Sequence, residues 1–247
     1  MRPAEPPQTG PAGWQKTLIV IPTYNEAENI ERISQEIVSS VNNVSILFVD
    51  DHSPDGTGEI ADRLARESPR ISVIHRPRKM GLGAAYVDGF RYAMEKNYDH
   101  VVSMDCDLSH DPKDIPRLVE AAWNGVDLVI GSRYVKGGGV VGWPLHRRLL
   151  SRLANFYASM VLGFAVRDWT SGFKCFRREA LRSVRATEIH TRGYAFQIEC
   201  VYRAIKAGVH VEEIPIVFRE RQYGESKLGG SNIGEAFLRV LTLRFRG

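Results

Sequence analysis

Two aspartates one residue apart, Asp105 and Asp107 in VVSMDCDLSHDP, form the chain's most specific chemical pattern. They follow the apolar run Val101, Val102 and Met104, which reads as a buried strand. In an extended strand, residues i and i+2 project to the same side. Two carboxylates placed in this way, where a strand gives out into a loop, can share one hard divalent cation through oxygen ligands. The alternative is local, because an aspartate in such a loop also caps a helix or tightens a turn. His110, beside the pair, is a lesser candidate, since none of the seven histidines has the spacing of a helical zinc pair.

Other polar clusters fall where apolar runs end. PTYNE holds Pro22, which stops a strand, and Glu26, which suits a helix start through its charge against the dipole. Tyr24 between them is an aromatic that can face a nucleobase. In VDDHSPDGT, Ser-Pro-Asp-Gly is a turn signal and Thr57 is placed to cap the next helix. Asp50 and Asp51 precede the turn, and one of them is expected in the crevice of Tyr24, able to accept a hydrogen bond from a base or ribose. RPRKMGLGAA has the glycines of a loose phosphate loop, although close packing at the start of a helix explains them as well. Arg133 in GSRY, and Arg221 and Lys227 in ERQYGESKLGG, are cations on loops able to counter phosphate charge, or else members of a solvated basic surface. No GxSxG elbow or triad pattern stands out.

Short β-branched runs alternate with helical patterns and so position these clusters. The spacing predicts strands over 17–21, 45–49, 71–75, 100–104 and 127–131, with helices over 27–40, 58–66, 83–96 and 112–123. Five β–α alternations argue for a doubly wound, mostly parallel α/β sheet, which binds ligands beyond the carboxyl ends of its strands. Three of the clusters lie at those ends. Beyond residue 132 the rhythm changes to a helix over 145–164, a short strand at 173–176, a helix over 194–207, a strand near 209–217 and a last helix over 233–243. The expected organisation is a leader over 1–15, an α/β core over 16–132 and a helical and β C-terminal extension of the same domain over 133–247.

The 247 residues, 43% hydrophobic and 25% charged, suit one such domain. Three scattered cysteines make neither a disulfide framework nor a zinc set, and favour a reducing compartment. The Pro- and Gly-rich first residues read as a disordered leader without the apolar stretch of a signal peptide. No run approaches the roughly 20 apolar residues of a membrane span, so a cytoplasmic protein is expected. The net charge of +4 hides an asymmetry. Residues 1–124 hold 13 Lys+Arg against 19 Asp+Glu, whereas residues 125–247 hold 20 against 10. An acidic half beside a basic half suits a metal site facing an anion-collecting surface, as well as two solvated faces of unequal charge.

PTYNE, DDHSPDGT, MGLGAAY, MDCDLSH, GSRY, SGFK and YGESKLGG occur in the order found in the dolichol-phosphate mannosyltransferases of GT-A glycosyltransferase family 2. The resemblance runs from about residue 17 to the C-terminus. It implies a GT-A fold and inverting transfer of mannose from GDP-mannose to a polyprenyl monophosphate, with Mg2+ or Mn2+ as cofactor. It places Pro22, Tyr24, Glu26, Val49 and Asp51 at the guanosine, and Asp105, Cys106 and Asp107 at the donor and its metal. It places Arg133, Arg221 and Lys227 at phosphates, with Asp105, Asp107 and Arg133 closest to the catalysis. The middle metal-motif position, usually Ala, is Cys106, whose thiol would make the site sensitive to oxidation. Where some relatives supply a Gln ligand this chain has Ser109, expected as the third metal ligand.

The acceptor in such a family is a long lipid. In 145–164, Leu149, Leu153, Phe156, Tyr157 and Met160 repeat at helical spacing behind Arg147, Arg148 and Arg152. This suits either a helix packed on the sheet or one lying in a membrane interface. Arg147 and Ser151, one turn apart, are expected to receive the acceptor phosphate with Arg133. The implied partners are GDP-mannose, a polyprenyl phosphate and the cytoplasmic face of a membrane, with an anchoring subunit left open and no nucleic acid. The competing readings are another donor such as UDP-glucose, a metal-dependent nucleotide-sugar hydrolase, and a non-catalytic lipid-phosphate binder.

Overall fold

The computed structural model describes residues 16–191, 193–221 and 230–246. The leader expected over 1–15 and the cation Lys227 lie outside the described residues. The first part of the chain alternates strand and helix: β1 (Thr17–Thr23), α1 (Ile30–Ser40), β2 (Val44–Asp50), α2 (Thr57–Glu67), β3 (Ile71–His75), α3 (Leu82–Glu95), β4 (His100–Ser103), α4 (Ile115–Trp123) and β5 (Leu128–Ser132). Then follow β6 (Gly139–Val141), α5 (Leu145–Leu162), β7 (Lys174–Arg177), α6 (Arg178–Ser183), α7 (Gly193–Lys206), β8 (Val211–Pro215), β9 (Val217–Arg219) and α8 (Gly230–Arg246). The single strand expected near 209–217 is two, β8 and β9, which serve different sheets.

The main sheet runs β3-β2-β1-β4-β7-β5-β8, and β6 and β9 form a two-stranded ribbon. All neighbours in the main sheet are parallel except β7, which runs antiparallel between β4 and β5. The fold is thus α/β with a mostly parallel sheet, as the alternation predicts. The extension over 133–247 does not only cover the sheet, because it supplies two of its strands.

Alternation along β1 divides the core between the two faces of the sheet. Leu18 and Val20 join a cluster with residues of α3, α5, α7 and α8, while Ile19 and Ile21 join one with residues of α1, α2 and α4. Both faces are covered, which is why these strands read as continuous apolar runs rather than alternating ones.

Helix α3 crosses β1 at Gly89, where an added Cβ would stand 2.3 Å from Val20 Cγ1. Gly89→Ala is therefore expected to cost about 1–3 kcal/mol in urea unfolding, with Val20→Ala in the same chain recovering part of it. Additive losses from the two substitutions would contradict this packing.

Candidate active site

The carboxyl ends of β1, β2, β4 and β5 meet on one edge of the sheet. One cavity there is lined by Asp105, Asp107, Arg133, Arg147, Ser151 and Arg221, six of the residues expected to act. The i, i+2 placement of the two aspartates does bring both to it. Cys106 between them points the other way and is buried among the core residues on the α1, α2 and α4 side. The expected oxidation-sensitive thiol at the site is therefore corrected, since its sulfur is buried in the core beneath the loop that follows β4.

Asp105 accepts a hydrogen bond from the Tyr86 hydroxyl at 3.3 Å, and its backbone N–H donates to His110 Nδ1 at 3.3 Å. Burial, with the Asp107 charge nearby, raises its carboxyl above the ordinary value, against the pull of His110 and Arg221. His110 is buried against Phe173 and Phe218, and that burial lowers its pKa, favouring the neutral ring. Asp107 accepts the Ser109 backbone N–H at 3.1 Å, and its other oxygen faces the Arg221 guanidinium at 3.3 Å. The Ser109 hydroxyl is buried and has no hydrogen-bond partner among the described residues. Ser109 is not among the described residues that line the cavity, so the donors there are the two carboxylates, hard oxygen ligands that fit Mg2+ or Mn2+ better than a soft metal.

Arg133 follows β5 and is held by a partner that sequence reasoning missed. Asp168 takes its Nε at 2.8 Å, its Nη2 at 2.6 Å and its backbone N–H at 2.9 Å. Thr170 accepts Nη2 at 2.7 Å, and the guanidinium lies near the rings of Tyr134, Trp143 and Phe218. Arg147 stacks on the other ring-side neighbour, Trp143, at 4.1 Å and pairs with Glu220 at 2.8 Å. Ser151 accepts the Tyr134 hydroxyl at 2.7 Å. Trp143 and Asp168 lie in no quoted motif and Glu220 only opens ERQYGESKLGG, so the pairing of opposite charges across the fold is what identifies the two carboxylates.

The clusters at β1 and β2 form a second, adjoining region. Lys79 lies 3.8 Å over the Tyr24 ring. Val49 is buried in β2, and Pro22 is half-buried at the end of β1. Asp50 is tied to Thr23 and Ser53. Asp51 accepts Arg76 at 2.7 Å and the backbone N–H groups of Met80 at 2.8 Å and Gly81 at 2.7 Å. It thereby fixes the loop before α3. Gly83 of MGLGAA, in the first turn of α3, answers to packing, since a Cβ there would stand 2.4 Å from the Thr191 carbonyl oxygen.

Two local expectations are corrected here. Helix α1 begins at Ile30, and the Glu26 carboxylate takes the Asn29 side-chain amide at 2.8 Å instead of opening the helix. Thr57 does not cap α2, since Gly56 holds that position without a side-chain bond. The Thr57 hydroxyl accepts the Glu26 backbone N–H at 2.9 Å and ties the two loops together.

Comparison with known proteins decides the family. Residues 18–185 match the model for "Glycosyl transferase family 2". The chain is 47% identical over 234 residues to a polyprenol monophosphomannose synthase of Mycolicibacterium smegmatis, covering 94% of this chain and 88% of that one. The chain belongs to glycosyltransferase family 2. An undecaprenyl-phosphate mannosyltransferase of Micrococcus luteus is 43% identical over 225 residues, covering 91% of this chain and 92% of that one. The resemblance read from the motifs is thus borne out at the level of the polyprenyl-phosphate mannosyltransferases. The fold is also that of solved GT-A enzymes. Glucosyl-3-phosphoglycerate synthase of Mycobacterium tuberculosis, in complex with Mn2+, UDP and glucosyl-3-phosphoglycerate, superposes with a TM-score of 0.70 at 21% identity, covering 92% of this chain and 79% of that one.

The Arg133–Asp168 pair gives a stability test. Burial alone would raise the Asp168 carboxyl, but the charge and hydrogen bonds of Arg133 more than offset it and hold it below its ordinary value. A carboxyl held low in the folded state stabilises above its unfolded pKa of about 4 and loses that contribution as pH falls through the folded value. Asp168→Ala should cost about 3–5 kcal/mol at neutral pH by stranding a buried guanidinium. Its deficit in denaturant unfolding should shrink below about pH 4. A pH-independent deficit would contradict the ionised pair.

Proposed function

We propose that the protein transfers mannose from GDP-mannose to a polyprenyl monophosphate, with inversion at the anomeric carbon, at the cytoplasmic face of a membrane. One observation carries the reading. A single cavity sets two carboxylates against three arginines, and it runs out between the helices α5 and α8, whose outer faces are apolar and exposed.

In this reading Pro22, Tyr24, Glu26, Val49 and Asp51 hold the guanosine, and Asp105, Cys106 (through its backbone) and Asp107 meet the donor. Asp105 and Asp107 would hold Mg2+ or Mn2+. The chemistry such a cation supplies when bound is Lewis-acid stabilisation of the departing diphosphate. Arg221, with Lys227 from outside the described residues, counters the same charge. Arg133, Arg147 and Ser151 receive the acceptor phosphate. An acceptor phosphate is already anionic near neutral pH, so its oxygen attacks the anomeric carbon without a strong general base. The bond to the new oxygen forms on the face opposite the breaking bond to GDP. The α-linked donor then yields a β-mannosyl phosphate and GDP, and His110, neutral and buried, has no base role in this scheme.

Helix α5 buries Asn155, Ala158 and Leu162 and leaves Leu149, Leu153, Phe156 and Met160 exposed. Four of the five residues of the stripe read from the sequence therefore lie on the outer face of the helix, while Tyr157 turns inward against Phe237. Leu238, Leu241 and Phe245 of α8 are also exposed, and Arg148, Arg152 and Arg244 lie among these residues in sequence. Arginines beside an apolar face suit the interface of an anionic membrane. Among the described residues no helix is long and apolar enough to cross a membrane, and in this reading the protein meets its lipid acceptor by surface docking, alone or with an anchoring subunit.

Two experiments test the proposal. With Mg2+ and a short polyprenyl phosphate, GDP-mannose should give lipid-linked sugar and release GDP, while GDP-glucose and UDP-glucose should give little. Lipid product from UDP-glucose alone would overturn the mannose assignment. Replacing Phe156 and Met160, 66% and 65% exposed, with Glu should release the protein from anionic vesicles and leave GDP affinity unchanged. Unaltered vesicle binding would remove α5 from the membrane contact.

A further inference from the structure

Gln197 of α7 lines the same cavity but belongs to none of the motifs. It is only 3% exposed, and its Nε2 has no hydrogen-bond partner among the described residues. A buried donor left without an acceptor is costly, and such groups in folded proteins call for an explanation.

The orientation of this amide is fixed by its neighbour. The Lys174 ammonium donates to Gln197 Oε1 at 2.6 Å and also to the Ser171 carbonyl oxygen. An ammonium has donors only, so the amide must turn its oxygen to Lys174 and leave its NH2 for something else. Lys174 is completely buried, and burial lowers its pKa to about 8, which leaves it mostly charged at neutral pH. A cation on the carbonyl side polarises the amide and strengthens its N–H groups as donors.

The placement points to the donor side of the cavity. Ser171 accepts Lys174, and a Cβ on the next residue, Gly172, would stand 3.2 Å from Asp105 Oδ1. Phe196, beside Gln197 in α7, stacks on Tyr86 at 5.8 Å, and the Tyr86 hydroxyl donates to Asp105. The amide is therefore linked to Asp105 by two short chains of contacts. The phosphate-class ligands have arginines to meet them on other walls. A neutral, polarised donor in the wall of the same cavity matches a neutral oxygen.

We propose that Gln197 reads the sugar: its Nε2 donates a hydrogen bond to a hydroxyl oxygen of the hexose carried by the nucleotide donor, and Lys174 is the positioning residue that fixes the amide. The inference deepens the glycosyl-transfer reading above by naming a determinant of sugar recognition.

Calorimetry on the full chain with saturating Mn2+ tests it without turnover. Affinities are measured for GDP and GDP-mannose, and for UDP and UDP-glucose, so that each sugar's contribution is the ratio within a pair. Gln197→Met should reduce the ratio for the preferred donor at least about fivefold and leave the affinity for the bare diphosphate within about twofold. A deoxy-sugar donor lacking the contacted hydroxyl should bind wild type and variant alike. If the single variant does not fold because it strands the Lys174 charge, Lys174→Met/Gln197→Met removes both partners and is read in the same way. An unchanged ratio, an equal loss of bare diphosphate binding, or a wild type that gains no affinity from the sugar would each overturn the proposal. So would a loss confined to polyprenyl phosphate binding, which would move Gln197 to the acceptor side. Failure of the wild type to make lipid-linked mannose would count against the proposed function alone, because the sugar ratio does not depend on transfer.

Discussion

Asp105 and Asp107 place two like charges at the end of a buried strand, and the surrounding structure is organised by the need to offset them. Burial and mutual repulsion both disfavour the ionised pair. The Tyr86 hydroxyl donates to Asp105, and Arg221 faces Asp107. Around these, Arg133 is braced by Asp168 and Arg147 by Glu220. Two of the three arginines that line the cavity thus have a carboxylate outside the aspartate pair, and the third faces Asp107, so the site carries strong local fields without a large uncompensated charge. Such an arrangement favours a ligand that brings phosphate and a divalent cation together, since each would meet its opposite already in place.

The topology makes this arrangement possible. The insertion of β7 between β4 and β5 carries the segment from Asp168 to Lys174 past the aspartates. That segment supplies the partner of Arg133, the close approach of Gly172 to Asp105, and the lysine that orients Gln197. The acidic and basic halves of the sequence therefore meet inside the molecule, at contacts such as Asp107 with Arg221. Helices α5 and α8 finish the cavity with Tyr157 packed on Phe237, their centroids 4.5 Å apart, and turn their remaining apolar residues outward.

Much of this was legible in the sequence where the signal is local. The strand over 71–75 is found as read, and those over 17–21, 45–49, 100–104, 127–131 and 173–176 shift by one or two residues at their ends. The one near 209–217 is two strands, the second of which pairs with β6, a strand not among those predicted. Asp105 and Asp107 do line one cavity, as their spacing suggested, but β4 ends at Ser103, so the loop after it and not the strand's period directs them and buries Cys106. What was not legible depends on contacts distant in the sequence. Nothing in KCFR announces an antiparallel central strand, because both its neighbours are already apolar runs. Asp168 in RDWTSGF carries no spacing that ties it to Arg133, 35 residues away. Thr57 had the composition of a cap, but a tertiary hydrogen bond from Glu26 claimed its hydroxyl. The apolar period of α5 gave the stripe and not its direction, since periodicity is the same whether a face meets a sheet or a bilayer.

The central claim is that the Asp105–Asp107 pair is a divalent-metal site that works with a nucleoside diphosphate. Electron paramagnetic resonance of Mn2+ titrated into the protein with GDP measures it directly. The wild type should remove the free-ion signal at one equivalent, with GDP tightening the binding, and Asp107→Asn should leave most of the ion free at the same concentrations. Equal Mn2+ uptake by the two proteins would contradict the assignment.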